Sequence, residues 1–91
     1  MNTPQDITED QFFELVDRFV AQANEFGQRF PQSRVSAAIL FAAARFNAFQ
    51  WVNRSQLLQQ TPEEATIAFR AEYEAMFREN LRSFGVLRPD A

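Results

Sequence analysis

The segment from Val35 to Val52, VSAAILFAAARFNAFQWV, constrains the fold of this chain more than any other feature. Its residues are apolar on almost every face that a helix would present, and such a helix needs neighbours on at least two sides. Six alanines keep the segment thin enough for other helices to approach closely, while large apolar side chains project in several directions. Three polar residues, Arg45, Asn47 and Gln50, interrupt it. The segment is therefore expected to form the centre of a helical core or a contact between copies of the chain.

Two further helices are predicted, one on each side of this segment. The run Thr8–Gln11 has the pattern of a capping box, in which two side chains satisfy backbone amides at a helix start, and Pro31 prevents continuation of that helix. The run Thr61–Glu64, TPEE, predicts a second capped start with proline at the first helical position, and Gly85 marks the end. Each helix carries one apolar stripe at three- to four-residue spacing.

The sequence thus predicts an all-α fold, a three-helix antiparallel up-down bundle, because three helices of similar length follow one another with short connections. The predicted helices span residues 8–29, 33–53 and 62–84. The stretch 53–60 is interpreted as a polar connection. We expect one helical domain over residues 1–91, with flexible ends at 1–7 and 86–91.

The apolar surface of the second helix exceeds what two neighbours with one stripe each can cover. Leaving apolar surface in water costs roughly 25 cal/mol per Å², so we expect a homodimer formed through the second helix. Phe41, Phe49 and Trp51 are the candidate contact residues. Phe13 and Val20 lie off the main stripe of the first helix and offer a candidate docking surface for another protein.

Arg45 and Asn47 are the polar residues set into the middle of the apolar helix. Because they are two positions apart, they point about 200° away from each other around the helix axis and cannot converge on one ligand. Arg45 is expected to form a buried or interfacial ion pair with Glu72 of the third helix, and Asn47 to fix helix register or oligomeric state. The alternative is that Arg45 anchors a small apolar or anionic ligand between helices.

The composition removes most catalytic chemistry. The chain has no Cys and no His, which excludes thiolates, imidazole acid–base catalysis and the usual zinc sites. All nine basic residues are Arg, which excludes catalytic lysines. The carboxylates fall mostly on polar helix faces or in first turns, and the hydroxyl groups have no base to activate them. We expect no enzyme, no cofactor and no bound metal.

The net charge and the N-terminal sequence predict what this protein can bind and where it is located. A net charge of −3 and a pI of about 4.8 argue against binding to nucleic acid or to anionic membranes. The apolar run is interrupted before it reaches the roughly 20 residues of a bilayer span. The first residues contain no basic region followed by an apolar run, so no signal peptide is expected. We expect a cytoplasmic protein that binds neither nucleic acid nor membrane.

The run Ser36 to Phe49, SAAILFAAARFNAF, resembles the core signature of a short proteobacterial family known only as a domain of unknown function. The pattern FxxLxxxFVxxANxF around Phe12 to Phe26, the Pro31-x-Ser33 entry and a Glu-rich third helix ending near Phe84 fit the same family. The resemblance spans about residues 11–84. It implies a compact helical bacterial protein without an assigned activity, and it transfers no catalytic or ligand residues.

Overall fold

The computed structural model describes residues 6–89, apart from the side chain of Leu58, and these residues form three α-helices joined by short connections. The helices are α1 (Glu9–Gly27), α2 (Gln32–Leu58) and α3 (Pro62–Ser83). Residues 6–89 contain no β-strand. The predicted all-α, three-helix fold is confirmed, whereas the antiparallel up-down arrangement stays a prediction. The predicted flexible ends fall partly at 1–5 and 90–91, which lie outside the described residues.

The chain divides into two compact units, and the boundary falls inside α2. Unit 1 ends at Asn47 and contains α1 with the first part of α2; unit 2 begins at Ala48 and contains the rest of α2 with α3. Each unit is therefore a pair of helical segments joined by a short connection, at 28–31 in unit 1 and 59–61 in unit 2. The prediction of a single domain over residues 1–91 stays a prediction.

Helix α2 ends five residues later than the sequence pattern suggests, at Leu58 and not at residue 53. The interpretation of residues 53–58 as a connection is therefore wrong. The segment is polar, but it contains no Gly or Pro, and its Arg, Gln and Leu residues have good helix propensity. Ser55 donates its hydroxyl to the carbonyl of Val52 at 3.1 Å within the helix. Polarity changes which side of a helix faces water, but it does not end the helix.

Both predicted capping boxes are formed. The Thr8 N–H donates to the Gln11 side chain at 2.9 Å, and the Gln11 N–H donates to the Thr8 hydroxyl at 3.1 Å. The corresponding distances for Thr61 and Glu64 are 2.8 and 3.1 Å. Each box satisfies two of the backbone amides that a helix start leaves unpaired. The starts of α1 and α3 are thus determined by residues next to each other in the sequence.

Helices α2 and α3 are each followed by a residue with positive φ. Gly85 has a φ of 79°, and the amides of Gly85 and Val86 donate to carbonyls of the last turn of α3, both at 3.0 Å, in a Schellman motif. Gln59 has a φ of 51°, and its amide donates to the carbonyl of Ser55 at 3.0 Å. Glycine adopts this conformation freely, whereas a residue with a Cβ is strained there by roughly 1–2 kcal/mol.

Replacement of Gln59 by glycine is expected to stabilise the protein. Gln59→Gly relieves the left-handed strain, and the greater freedom of glycine in the unfolded chain offsets part of that gain, which leaves about 0.5–1 kcal/mol. The matched control Gln56→Gly lies inside α2 and is expected to destabilise by about 1 kcal/mol. Urea unfolding followed by circular dichroism, at one fixed protein concentration, measures both. An equal loss of stability in the two variants would contradict the strain at Gln59.

Removal of the Thr61 hydroxyl is expected to destabilise α3. Thr61→Ala leaves the Glu64 amide without its side-chain acceptor and should cost about 1 kcal/mol. Thr66→Ala is the control, because its hydroxyl donates at 2.8 Å to the Pro62 carbonyl, a bond that helix stability does not require. Thermal unfolding should show a lower Tm for Thr61→Ala and an unchanged or higher Tm for Thr66→Ala.

Candidate functional site

The apolar side chains of this chain are largely exposed to solvent. Among residues 6–89, the side chain of Leu58 aside, Ala65 of α3 is the one buried residue, at 6% exposure. Every residue of α2 from Ser36 to Gln50 is exposed, and Phe41, Phe46 and Phe49 leave 61–64% of their surface in solvent. The segment that the sequence places at the centre of a core is therefore not covered within one chain.

An apolar groove of about 660 Å³ lies between α1 and the first part of α2, wholly within unit 1. We call it the unit 1 groove. Its walls come from α1, the connection and α2: Phe19, Gln22, Ala23, Phe26, Phe30, Pro31, Arg34, Val35, Ala38, Ile39 and Ala42. The alanines on both helices are too short to fill the space between them. The groove has the volume of about 20 water molecules at roughly 30 Å³ each, so it is large enough for several side chains or a small ligand.

Arg45 lies on α2 and does not line the unit 1 groove, whose cation among the described residues is Arg34. The guanidinium of Arg45 lies over the ring of Phe41, 5.1 Å from its centroid, in a cation–π arrangement. Arg45 belongs to unit 1, and Glu72, its predicted partner, belongs to unit 2. Both side chains are exposed. Their ion pair stays a prediction, and so does the role of Asn47, which is exposed at the end of unit 1.

Trp51 is half-buried in unit 2, and its indole N–H donates to the side-chain oxygen of Gln60 at 2.9 Å. This bond holds the connection between α2 and α3 against the end of α2. Sequence reasoning missed Gln60, because a glutamine in a polar connection carries no signal that distinguishes it from its neighbours. The sequence predicts Trp51 as a contact residue between copies, and within the chain its indole N–H has Gln60 as a partner.

Helix α3 offers aromatic side chains to solvent. The rings of Tyr73 and Phe77, one turn apart, are stacked with centroids 5.9 Å apart and planes at 18°. Phe77, Met76 and Phe84 are exposed large apolar residues. Aromatic pairs at this spacing attract each other, so the two rings form one apolar projection on α3.

Two further properties bear on function. By length and composition alone, α2 is apolar enough over Gln32–Leu57 to cross a membrane, a test that core helices of soluble proteins also pass. The length argument from the sequence therefore does not exclude a span, and the absence of membrane binding stays a prediction. Within residues 6–89, no group of three or more acidic side chains is placed to hold a metal ion.

Comparison with known proteins identifies the family. Neither a curated protein nor a solved structure matches the chain. Residues 12–84 match the family described as protein of unknown function (DUF3144). The match covers 73 of the 91 residues and includes all of α2. The resemblance of the Ser36 to Phe49 run to a family of unknown function is confirmed, and this chain belongs to the DUF3144 family.

Proposed function

We propose that this protein is a non-catalytic helical module that self-associates through α2. The exposure of α2 is the observation that carries the proposal. All fifteen residues from Ser36 to Gln50 are exposed in the single chain, and eleven of them are Ala, Ile, Leu or Phe. A soluble monomer seldom leaves so much contiguous apolar surface in water. A second copy of the same chain is available at the same concentration and offers surface of the same kind.

The amount of exposed aromatic surface supports this proposal. Six phenylalanines on α1, α2 and their connection leave about 700 Å² in water, at roughly 200 Å² for each aromatic side chain: Phe19, Phe26, Phe30, Phe41, Phe46 and Phe49. A typical stable interface buries about 800 Å² per partner. The neighbouring alanines and leucines supply the remainder. At roughly 25 cal/mol per Å², the rings alone correspond to about 17 kcal/mol per chain before the entropic costs of association.

The non-catalytic part of the proposal is supported by the missing residue types. With no His, Cys or Lys, the chain lacks the side chains that most often act as general bases and nucleophiles near neutral pH. Its net charge of −3 supports a protein partner over nucleic acid, since phosphate backbones attract basic surfaces. We also propose a cytoplasmic location, because the absence of Cys fits a reducing compartment.

Introduction of a charge at the centre of α2 is expected to disrupt self-association. Phe46→Asp removes a large apolar contact and places a carboxylate in the interface, which should weaken the dimer at least about 100-fold. Sedimentation velocity of the wild type and the variant over micromolar concentrations measures the change. Circular dichroism reports whether the variant keeps its helices.

The matched control is Phe13→Asp, the same substitution at an exposed phenylalanine of α1. In sedimentation, the Phe13→Asp variant should have the same assembled mass as the wild type. If both variants lose association equally, the interface does not lie on α2. A wild type that sediments as a monomer at every concentration would refute the proposal.

Ligand binding in the unit 1 groove is the second candidate function. The groove's volume of about 660 Å³ lies within the roughly 300–1,000 Å³ range of ligand sites. Since Arg34, and not Arg45, lines the groove, Arg34 is the cation available to an anionic ligand such as decanoate. If this candidate is right, decanoate raises the Tm of the wild type but not that of Arg34→Gln. An unchanged Tm in the wild type would dismiss the candidate.

A further inference from the structure

We propose that the unit 1 groove receives helix α3 of a second copy of this chain. The inference rests on the proposed self-association and names the surface that meets α2 across the interface. Four observations support it: the charges of the three helices, the location of their apolar stripes relative to the groove, the dimensions of the groove and the position of Arg45.

The charges of the helices argue against pairing of α2 with α2. Helix α2 contains three arginines, Arg34, Arg45 and Arg54, and no acidic residue. Arg34 and Arg45 lie on one side of α2 and Arg54 lies on the opposite side, so two copies of α2 packed through the first side would bring four positive charges into one interface, which like-charge repulsion disfavours. Helix α3 contains five glutamates and three arginines, and α1 contains five acidic residues and one arginine. The complementary surface for α2 is therefore an acidic helix.

Helix α3 is the acidic helix whose apolar stripe does not form a wall of the unit 1 groove. Phe19 and Phe26 of α1 already line the unit 1 groove of their own chain. Tyr73, Met76 and Phe77 of α3 do not line it, and each is exposed to solvent. The stacked rings of Tyr73 and Phe77 lie side by side on α3, with centroids 5.9 Å apart. They give α3 an apolar projection that an apolar groove can enclose.

The dimensions of the groove fit this projection. The α2 residues that line it run from Arg34 to Ala42, a rise of about 12 Å at 1.5 Å per residue. Tyr73 and Phe77 are about 6 Å apart along α3 on the same basis, so both rings fit within its length. Ala38 and Ala42 have short side chains at the α2 wall, which lets a second helix approach to the usual 8–10 Å between axes.

The position of Arg45 gives the interface a polar pair. Arg45 lies three residues beyond Ala42, so it is on the same side of α2, one turn past the end of the groove. Glu72 precedes Tyr73 on α3. When Tyr73 of the second copy enters the groove near Ala42, its Glu72 comes within reach of Arg45. The predicted ion pair between Arg45 and Glu72 then forms between chains. Because a dimer has two-fold symmetry, the same pair occurs twice in it.

Charge reversal in trans tests this pairing. Arg45→Glu and Glu72→Arg each place like charges together twice in their own homodimer, so each should weaken association at least about 10-fold. An equimolar mixture of the two variants restores opposite charges at both pairs. Native mass spectrometry, with one variant labelled by ¹⁵N, should show a heterodimer that associates within a few-fold of the wild type.

The possible results separate the pairing from self-association. If the double variant Arg45→Glu/Glu72→Arg recovers wild-type association but the mixture does not, the pair forms within one chain and the inference is overturned. The inference is likewise overturned if neither charge reversal affects a stable dimer, in which case self-association stands. A monomeric wild type would instead refute the proposed function itself.

Disulfide formation gives a second readout that does not depend on charge. The chain has no cysteine, so introduced thiols are the only ones present. A mixture of Ala38→Cys and Met76→Cys chains should form a mixed disulfide under mild oxidation, since bridged residues need Cα atoms about 4.4–6.8 Å apart. The Ala38→Cys chain alone is the control and should remain reduced. Its efficient self-crosslinking would show α2 packed on α2 and overturn the inference.

Two other occupants of the groove are outcomes of the same experiments. Decanoate that binds a wild-type dimer without dissociating it would show that the groove is free in the dimer, which overturns the inference alone. A wild-type monomer that floats with phosphatidylcholine vesicles would assign α2 to a lipid surface and overturn both proposals. The expected result is a dimer that forms the mixed disulfide and does not bind the vesicles.

Discussion

The structure depends on one mismatch: from Ser36 to Gln50, α2 is apolar on almost every face, and the rest of the described chain leaves that stretch exposed. Helices α1 and α3 each carry one apolar stripe, and with them present the whole stretch from Ser36 to Gln50 is still exposed. The unit 1 groove is a local form of the same mismatch, because the alanines that make α2 thin leave space beside the phenylalanines of α1. Thin helices of this kind serve close packing, and a groove between them shows where another helix has room to pack.

The distribution of charge matters as much as that of apolar residues. All ionisable residues of α2 are arginines, while the acids of the described helices are confined to α1 and α3. Such segregation does little for an isolated helix, since pairs three or four residues apart need both signs on one element. It has an effect only between elements, where it favours contacts of α2 with acidic helices and disfavours contacts of α2 with itself. In the proposed dimer, the apolar surface would supply affinity and the charges would determine which surfaces meet.

What the sequence predicted correctly depends on residues close together in the chain. The capping boxes at Thr8 and Thr61 and the glycine end at Gly85 involve groups within five residues, so their patterns could be read directly. The end of α2 could not be predicted in this way. Gln59 adopts a left-handed conformation there, which its residue type does not predict. The unit 1 groove was also beyond the sequence. Its existence depends on which alanines face which phenylalanines across two helices, and that information lies in packing, which periodicity does not fix.

The proposed self-association would link folding to assembly. Each unit contains fewer than 50 residues, a size at which a single core is marginal and oligomerisation commonly supplies the missing burial. Ala65 is the one buried side chain among those described, so in the proposed dimer association would supply the free energy that the core of a monomer normally provides. The same apolar residues would then form both the interface and the core of the dimer. None of the eleven phenylalanines is buried within the single chain, which is what the proposed double use requires.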